Sequence, residues 1–180
     1  ENLFYSKEGH TSIASLNDEI YKRTITVNGL AKSYAMTGWR IVYCGAPLNV
    51  AKVMGSVQSH QTSNPNSIAQ KAAVAAISGD QTCVREMNEA FNERRKYIYS
   101  RVCGMKYINA IEPKGAFYVF VDASEVLGKK YKGKVIESVS DFAAILIEEY
   151  YVAIIPCADF GFEDHFRLSY AISMQQIEKG

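Results

Sequence analysis

Two short β-branched runs with a lysine between them constrain this chain more than any other stretch. Thr24-Ile25-Thr26-Val27 closes on Asn28-Gly29, and Trp39-Arg40-Ile41-Val42-Tyr43 follows a Thr37-Gly38 breaker. Runs of this length between turn residues read as strands, the first of them buried. Lys32 to Met36 reads as a brief helical piece joining them. The pattern holds Lys32 at the tip of a strand, with Arg40 eight positions further on.

That placement suits Schiff-base chemistry. A lysine amine attacks only when deprotonated, and desolvation or a neighbouring cation favours that form. Arg40 cannot lose its proton, and its planar fork matches a phosphate. An amine for an aldehyde and a guanidinium for a phosphate are what pyridoxal 5′-phosphate needs. On spacing alone, a surface lysine beside a salt-bridged arginine is the better-supported reading of the same residues.

Asn28-Gly29-Leu30-Ala31-Lys32 followed by Ala35-Met36-Thr37-Gly38-Trp39-Arg40 resembles the lysine signature of class I pyridoxal-phosphate aminotransferases, on the bacterial aspartate aminotransferase side. The resemblance implies an α/β fold, specifically the C-terminal half of a fold-type I PLP-dependent transferase. Residues 1–95 would belong to the large cofactor-binding domain, and residues 96–180 would form the small C-terminal domain with its final helix cut short. It also implies that Lys32 carries the cofactor and acts as the catalytic base, and that Arg40 grips the cofactor phosphate. Ser63, in the Thr62-Ser63-Asn64-Pro65 break, would reach the phosphate of a neighbouring subunit in a homodimer. Arg167, in Phe166-Arg167-Leu168-Ser169-Tyr170, would take the substrate α-carboxylate. Each role has a plain alternative: Ser63 or Asn64 as a helix cap, Arg167 as an arginine lying along an edge strand.

The implied reaction moves an amino group between an amino acid and a 2-oxo acid. A β-lyase of the same fold shares these residues, and a catalytically inactive truncated domain is a third reading. Two departures from the family pattern stand out. Gly29 and Ala31 occupy places where many relatives have phosphate-binding serines, and Gln58-Ser59-His60-Gln61 offers no arginine for a distal carboxylate. Asp18-Glu19-Ile20-Tyr21 spells the family's ring-binding Asp-x-x-Tyr pair but stands too close to Lys32, so it reads as a solvated helix face. The functional pair would precede Glu1, and the chain is expected to be a fragment with little activity alone.

Elsewhere the periodicity predicts helices over 48–61, 66–78 and 80–103, the last with Arg94-Arg95-Lys96 on its wet side. A strand is expected over Ala116–Asp122 and a mobile Lys/Gly-rich loop over 128–133. Ser140 should cap a helix over Asp141–Tyr150, and strands should follow at Val152–Pro156 and Phe166–Ala171. The net charge of +1 gives no reason to expect nucleic acid or a membrane surface. Cys44, Cys83, Cys103 and Cys157 lack metal-ligand spacing and read as reduced structural thiols of a cytoplasmic enzyme. His10, His60 and His165 are equally scattered, so no metal site is expected.

Overall fold

In the computed structural model of the chain, residues 2–6 and 9–180 are described. The chain divides into two compact units: Glu1–Asn2 with Glu8–Met87, and Leu3–Lys7 with Asn88–Gly180.

In the first unit, Asn17 caps the short helix α1 (Asp18–Tyr21), its side chain accepting from the Ile20 amide. Strand β1 (Thr26–Gly29) leads into the one-turn helix α2 (Leu30–Ser33), and a 3₁₀ turn (Thr37–Trp39) precedes β2 (Val42–Gly45). The two strands form an antiparallel ribbon running from Thr26↔Gly45 to Gly29↔Val42. Asn28-Gly29 therefore pairs inside the ribbon rather than turning. The predicted burial of the first strand is not met, since Val27 is 67% exposed. A ribbon of two strands offers two faces, and what goes inward here are the residues flanking its end, Leu30 and Ile41. With Met36, Ala69 and Ala73 they form the unit's core.

Helix α3 (Leu48–Gln61) has the predicted bounds, yet none of its residues is buried. Helix α4 (Ser67–Ser78) is capped by Asn66, not by Ser63 or Asn64. Its Ala69 and Ala73 lie four apart, so one face carries only methyl groups and can approach Leu30 and Met36 closely.

Helix α5 (Thr82–Cys103) runs from the first unit into the second. Val84, Phe91, Ile98 and Val102 form its buried stripe, as the heptad-like spacing predicts. Arg95 corrects the expected wet side: it is 8% exposed. Its guanidinium bonds Glu112 at 2.8 Å, the Pro113 carbonyl at 2.9 Å and Asn92 at 3.0 Å, and lies over the Tyr5 ring. A carboxylate, two neutral acceptors and a ring face meet this charge, which offsets the cost of its burial.

The second unit is built on an antiparallel sheet of order β3-β4-β8-β7, from β3 (Asn109–Ala110), β4 (Tyr118–Asp122), β7 (Ile155–Pro156) and β8 (His165–Ser169). Strand alternation decides its faces. Val119, Val121 and Phe166 point into the core, whereas Tyr118, Phe120, Asp122, His165 and Arg167 share the half-buried outer face. The segment at Leu3–Tyr5 is pinned to the corner before β4. Phe4 bridges Gly115, Ala116 donates its amide to Leu3, and the Ala116 carbonyl accepts from the Tyr5 hydroxyl at 2.6 Å and the Tyr170 hydroxyl at 2.9 Å. A Cβ on Gly115 would stand 3.0 Å from the Leu3 carbonyl oxygen, so a side chain there would push the segment back by a few tenths of an ångström. Burial pushes both tyrosine hydroxyls up from their ordinary values.

The Lys/Gly-rich loop forms a tight hairpin of β5 (Lys130–Tyr131) and β6 (Lys134–Val135). Lys132 and Gly133 both take positive φ, 47° and 84°, the geometry that a two-residue hairpin turn demands. Helix α6 (Val139–Tyr150) starts two residues before the predicted bound. Ser138 rather than Ser140 caps it, in a reciprocal capping box with Asp141. Ser173 caps the closing helix α7 (Met174–Lys179) in the same way through Gln176.

All four cysteines are free, and only Cys157 is buried, which leaves a structural role to that one alone. Among the described residues no helix is long and apolar enough to cross a membrane.

Candidate active site

The site begins with how the chain holds Lys32. Leu30 at the start of α2 is fully buried and anchors that turn, while Lys32, two residues on, faces out and is exposed. The turn is then tied to the next one through a single residue. Thr37 donates its hydroxyl to the Ala31 carbonyl at 3.0 Å, and its own carbonyl accepts from Arg40 Nη1 at 3.0 Å. Thr37 thus connects the peptide just before Lys32 to the guanidinium of Arg40. The sequence reading treated Thr37 only as a breaker; the hydroxyl beside a glycine was the signal it passed over.

Arg40 sits in the left-handed region (φ 50°), uncommon for a residue with a side chain. That conformation ends the 3₁₀ turn and lets the chain reverse into β2. Arg40 lines an open cavity of about 630 Å³ together with Trp39, Asn66 and Ile68. One of its five N–H groups is used by Thr37, and the cavity gives the rest room for an anion. Ser63 lies in the turn between α3 and α4, also at positive φ (63°). Its side chain makes no hydrogen bond among the described residues. Ser63 is exposed and takes no part in capping α4, which Asn66 does.

Arg167 occupies β8 in the second unit, paired with Phe120 on one side and Ile155 on the other. Its guanidinium lies 4.7 Å from the centre of the Tyr118 ring and 5.0 Å from that of Phe160. It has no ion pair among the described residues, and its Nε is buried without a partner. This is the profile of a side chain held ready for an acceptor that the chain itself does not provide.

The same outer face gathers Asp122, Asp164 and His165, whose ligand atoms all lie within 4.8 Å of one another. Reading the histidines as scattered missed this, because β4 and β8 bring together residues more than forty positions apart. Local bonds account for the group: His165 Nδ1 pairs with Asp164 at 2.5 Å, and Asp122 accepts the Ser124 amide at 2.8 Å. His165 also stacks on Phe120. The Ser124 bonds hold the Asp122 carboxyl below its ordinary value. Asp18-Glu19-Ile20-Tyr21 is α1, with only Ile20 turned partly inward, in keeping with a solvated face. An apolar groove of about 620 Å³ in the second unit, lined by Val102, Phe142, Phe166 and Ile177, contains none of the candidate residues.

Residues 2–180 match aminotransferase class I and II, and the chain belongs to that family. It is 42% identical over 178 residues to the aspartate aminotransferase of Geobacillus stearothermophilus, covering 99% of this chain and 44% of that protein. It is 39% identical over 181 residues to the aspartate/prephenate aminotransferase of Nitrosomonas europaea, covering 99% and 46%. Its structure superimposes on the aspartate aminotransferase of Rhizobium meliloti with a TM-score of 0.94 at 40% identity, covering 99% of this chain and 45% of that one. The chain therefore spans somewhat less than half the length of the relatives it matches.

Proposed function

We propose that the protein carrying this chain transfers an amino group between an amino acid and a 2-oxo acid, with pyridoxal 5′-phosphate as its cofactor. The observation that carries the reading is the Thr37 bridge, which fixes the peptide before Lys32 to the Arg40 guanidinium. An exposed amine and a guanidinium with open donors beside a roomy cavity fit the cofactor's aldehyde and phosphate. When bound, the cofactor supplies that aldehyde and a sink for the electrons released at the substrate Cα.

The chain's own residues have distinct tasks. Lys32 Nζ would hold the cofactor through its aldehyde and, as a free amine, would be the base that takes the proton from the substrate Cα. Arg40 holds the phosphate, and Ser63 adds a hydroxyl to the phosphate of the neighbouring subunit in a homodimer. Arg167 binds the α-carboxylate through two parallel N–H bonds and so orients the Cα–H bond. Names of relatives point to aspartate as a donor, but Gln58-Ser59-His60-Gln61 provides no arginine for a second carboxylate on that stretch. The amino donor is therefore left at the level of amino acids with one free α-carboxylate.

Incubating the whole protein and cofactor with an amino acid and 2-oxoglutarate tests the proposal. Formation of glutamate supports it. Release of pyruvate and ammonia from a sulfur amino acid without glutamate would replace it with a β-lyase.

A further inference from the structure

Three arginines in the second unit lie over aromatic rings, Arg94 over Phe91 among them, and the difference between the other two, Arg95 and Arg167, is informative. Arg95 lies over Tyr5, and its N–H groups are taken up by Glu112, Asn92 and the Pro113 carbonyl. It is a structural arginine that spends three of its five N–H groups on the fold. Arg167 is flanked by Tyr118 and Phe160 and spends no side-chain donor on any described residue. An arginine side chain has several rotatable bonds, and holding it still costs entropy. A neighbouring carboxylate would fix it but would occupy the donors. An aromatic ring attracts the cation through its π-face and leaves every N–H vacant.

The fold places both rings deliberately. Tyr118 lies diagonally from Arg167 across the β4–β8 pair, on the same face of the sheet, within reach for large side chains. Phe160 comes from the 3₁₀ turn Ala158–Phe160, which Gly161 ends at φ 86°. Phe160 is 58% exposed, so it meets the guanidinium from the solvent side.

We propose that Tyr118 and Phe160 are positioning residues that hold the Arg167 guanidinium in place while keeping its donors free for a substrate carboxylate. The proposal rests on the reading of Arg167 as the carboxylate site. The rings act by their π-faces, so the Tyr118 hydroxyl is dispensable.

The test uses the whole protein with its cofactor and four variants: Tyr118→Leu, Tyr118→Phe, Phe160→Leu and Arg167→Gln. The readouts are KM and kcat for the amino donor, and Kd for 3-phenylpropionate, an unreactive monocarboxylate, by calorimetry. Each leucine variant should raise KM and Kd about 5- to 10-fold, the range expected for a partly desolvated cation–π contact. Their kcat should change by no more than about twofold, because binding lost equally from ground and transition states appears in KM. Tyr118→Phe should behave as the unsubstituted protein. The proposal is overturned if the leucine variants bind 3-phenylpropionate normally while Arg167→Gln does not, an outcome that leaves the Arg167 reading intact. It is also overturned if Tyr118→Phe is as weak as Tyr118→Leu, or if kcat falls as far as KM rises. Normal binding by Arg167→Gln would remove the carboxylate reading itself, and the ring proposal with it.

Discussion

The two units of this chain use similar amounts of apolar sequence to different effect. In the second unit, β4 and β8 put Val119, Val121 and Phe166 into a core where each is almost wholly buried. In the first, β1, β2 and α3 carry Val27, Val42, Leu48 and Val53, all exposed. Period and propensity are comparable in both. What differs is whether distant chain segments return to cover the face, as α6 does where Phe142 meets Phe166 of β8. Burial is a property of partners, and a run of valines in sequence does not disclose whether it has them.

The comparison can be broken by substitution. The largest effect should come from Phe166→Ala, which empties a fully packed position and should cost about 3–5 kcal/mol. Chemical denaturation of the 180-residue chain measures it, and a cost under about 1 kcal/mol would mean that the sheet's inner face is not packed as described. Arg95→Met keeps the stem but strands Glu112 and the Pro113 carbonyl; a loss of about 1–3 kcal/mol is expected by the same assay. Ser138→Ala removes the α6 cap and should cost about 1 kcal/mol. On the first unit, Val53→Ser on the exposed α3 should change stability by less than about 0.5 kcal/mol. A large loss there would show α3 to be covered.

Acid reaches both units, since Thr82 holds the Asp80 carboxyl of the first below its ordinary value, and the second carries two such groups. Hydrogen bonds from Ser124 and Ser138 hold the Asp122 and Asp141 carboxyls below their ordinary values. A carboxyl depressed in the folded state contributes stability above its unfolded pKa of about 4 and loses it as pH falls through the folded value. The second unit should therefore lose stability as pH drops from about 5 towards 3, and Asp141→Asn should flatten that dependence. Hydrogen exchange across the pH range, resolved by unit, would register the change.

Several features were legible in the sequence for local reasons. The Leu48–Gln61 helix has a proline before it and a polar break after it, and the Asn17 cap is likewise set by adjacent residues. The lysine–arginine spacing is local too. What escaped was non-local. Arg95 reads as wet because its partners Glu112 and Pro113 lie seventeen and eighteen residues away. Asp122 and His165 meet only through strand pairing. The Ser138 cap was displaced to Ser140 because both serines precede an apolar run, and only the side chain of Asp141 distinguishes them. The rings around Arg167 came from two segments that no spacing rule connects.

The central claim is that Lys32 is the amine that carries the cofactor. Incubating the whole protein with pyridoxal 5′-phosphate, reducing with borohydride and mapping the digest by mass tests it directly. The account predicts a pyridoxyl group on the peptide containing Lys32, lost in Lys32→Ala. A label on another lysine, or none on Lys32 after full incorporation, would contradict it.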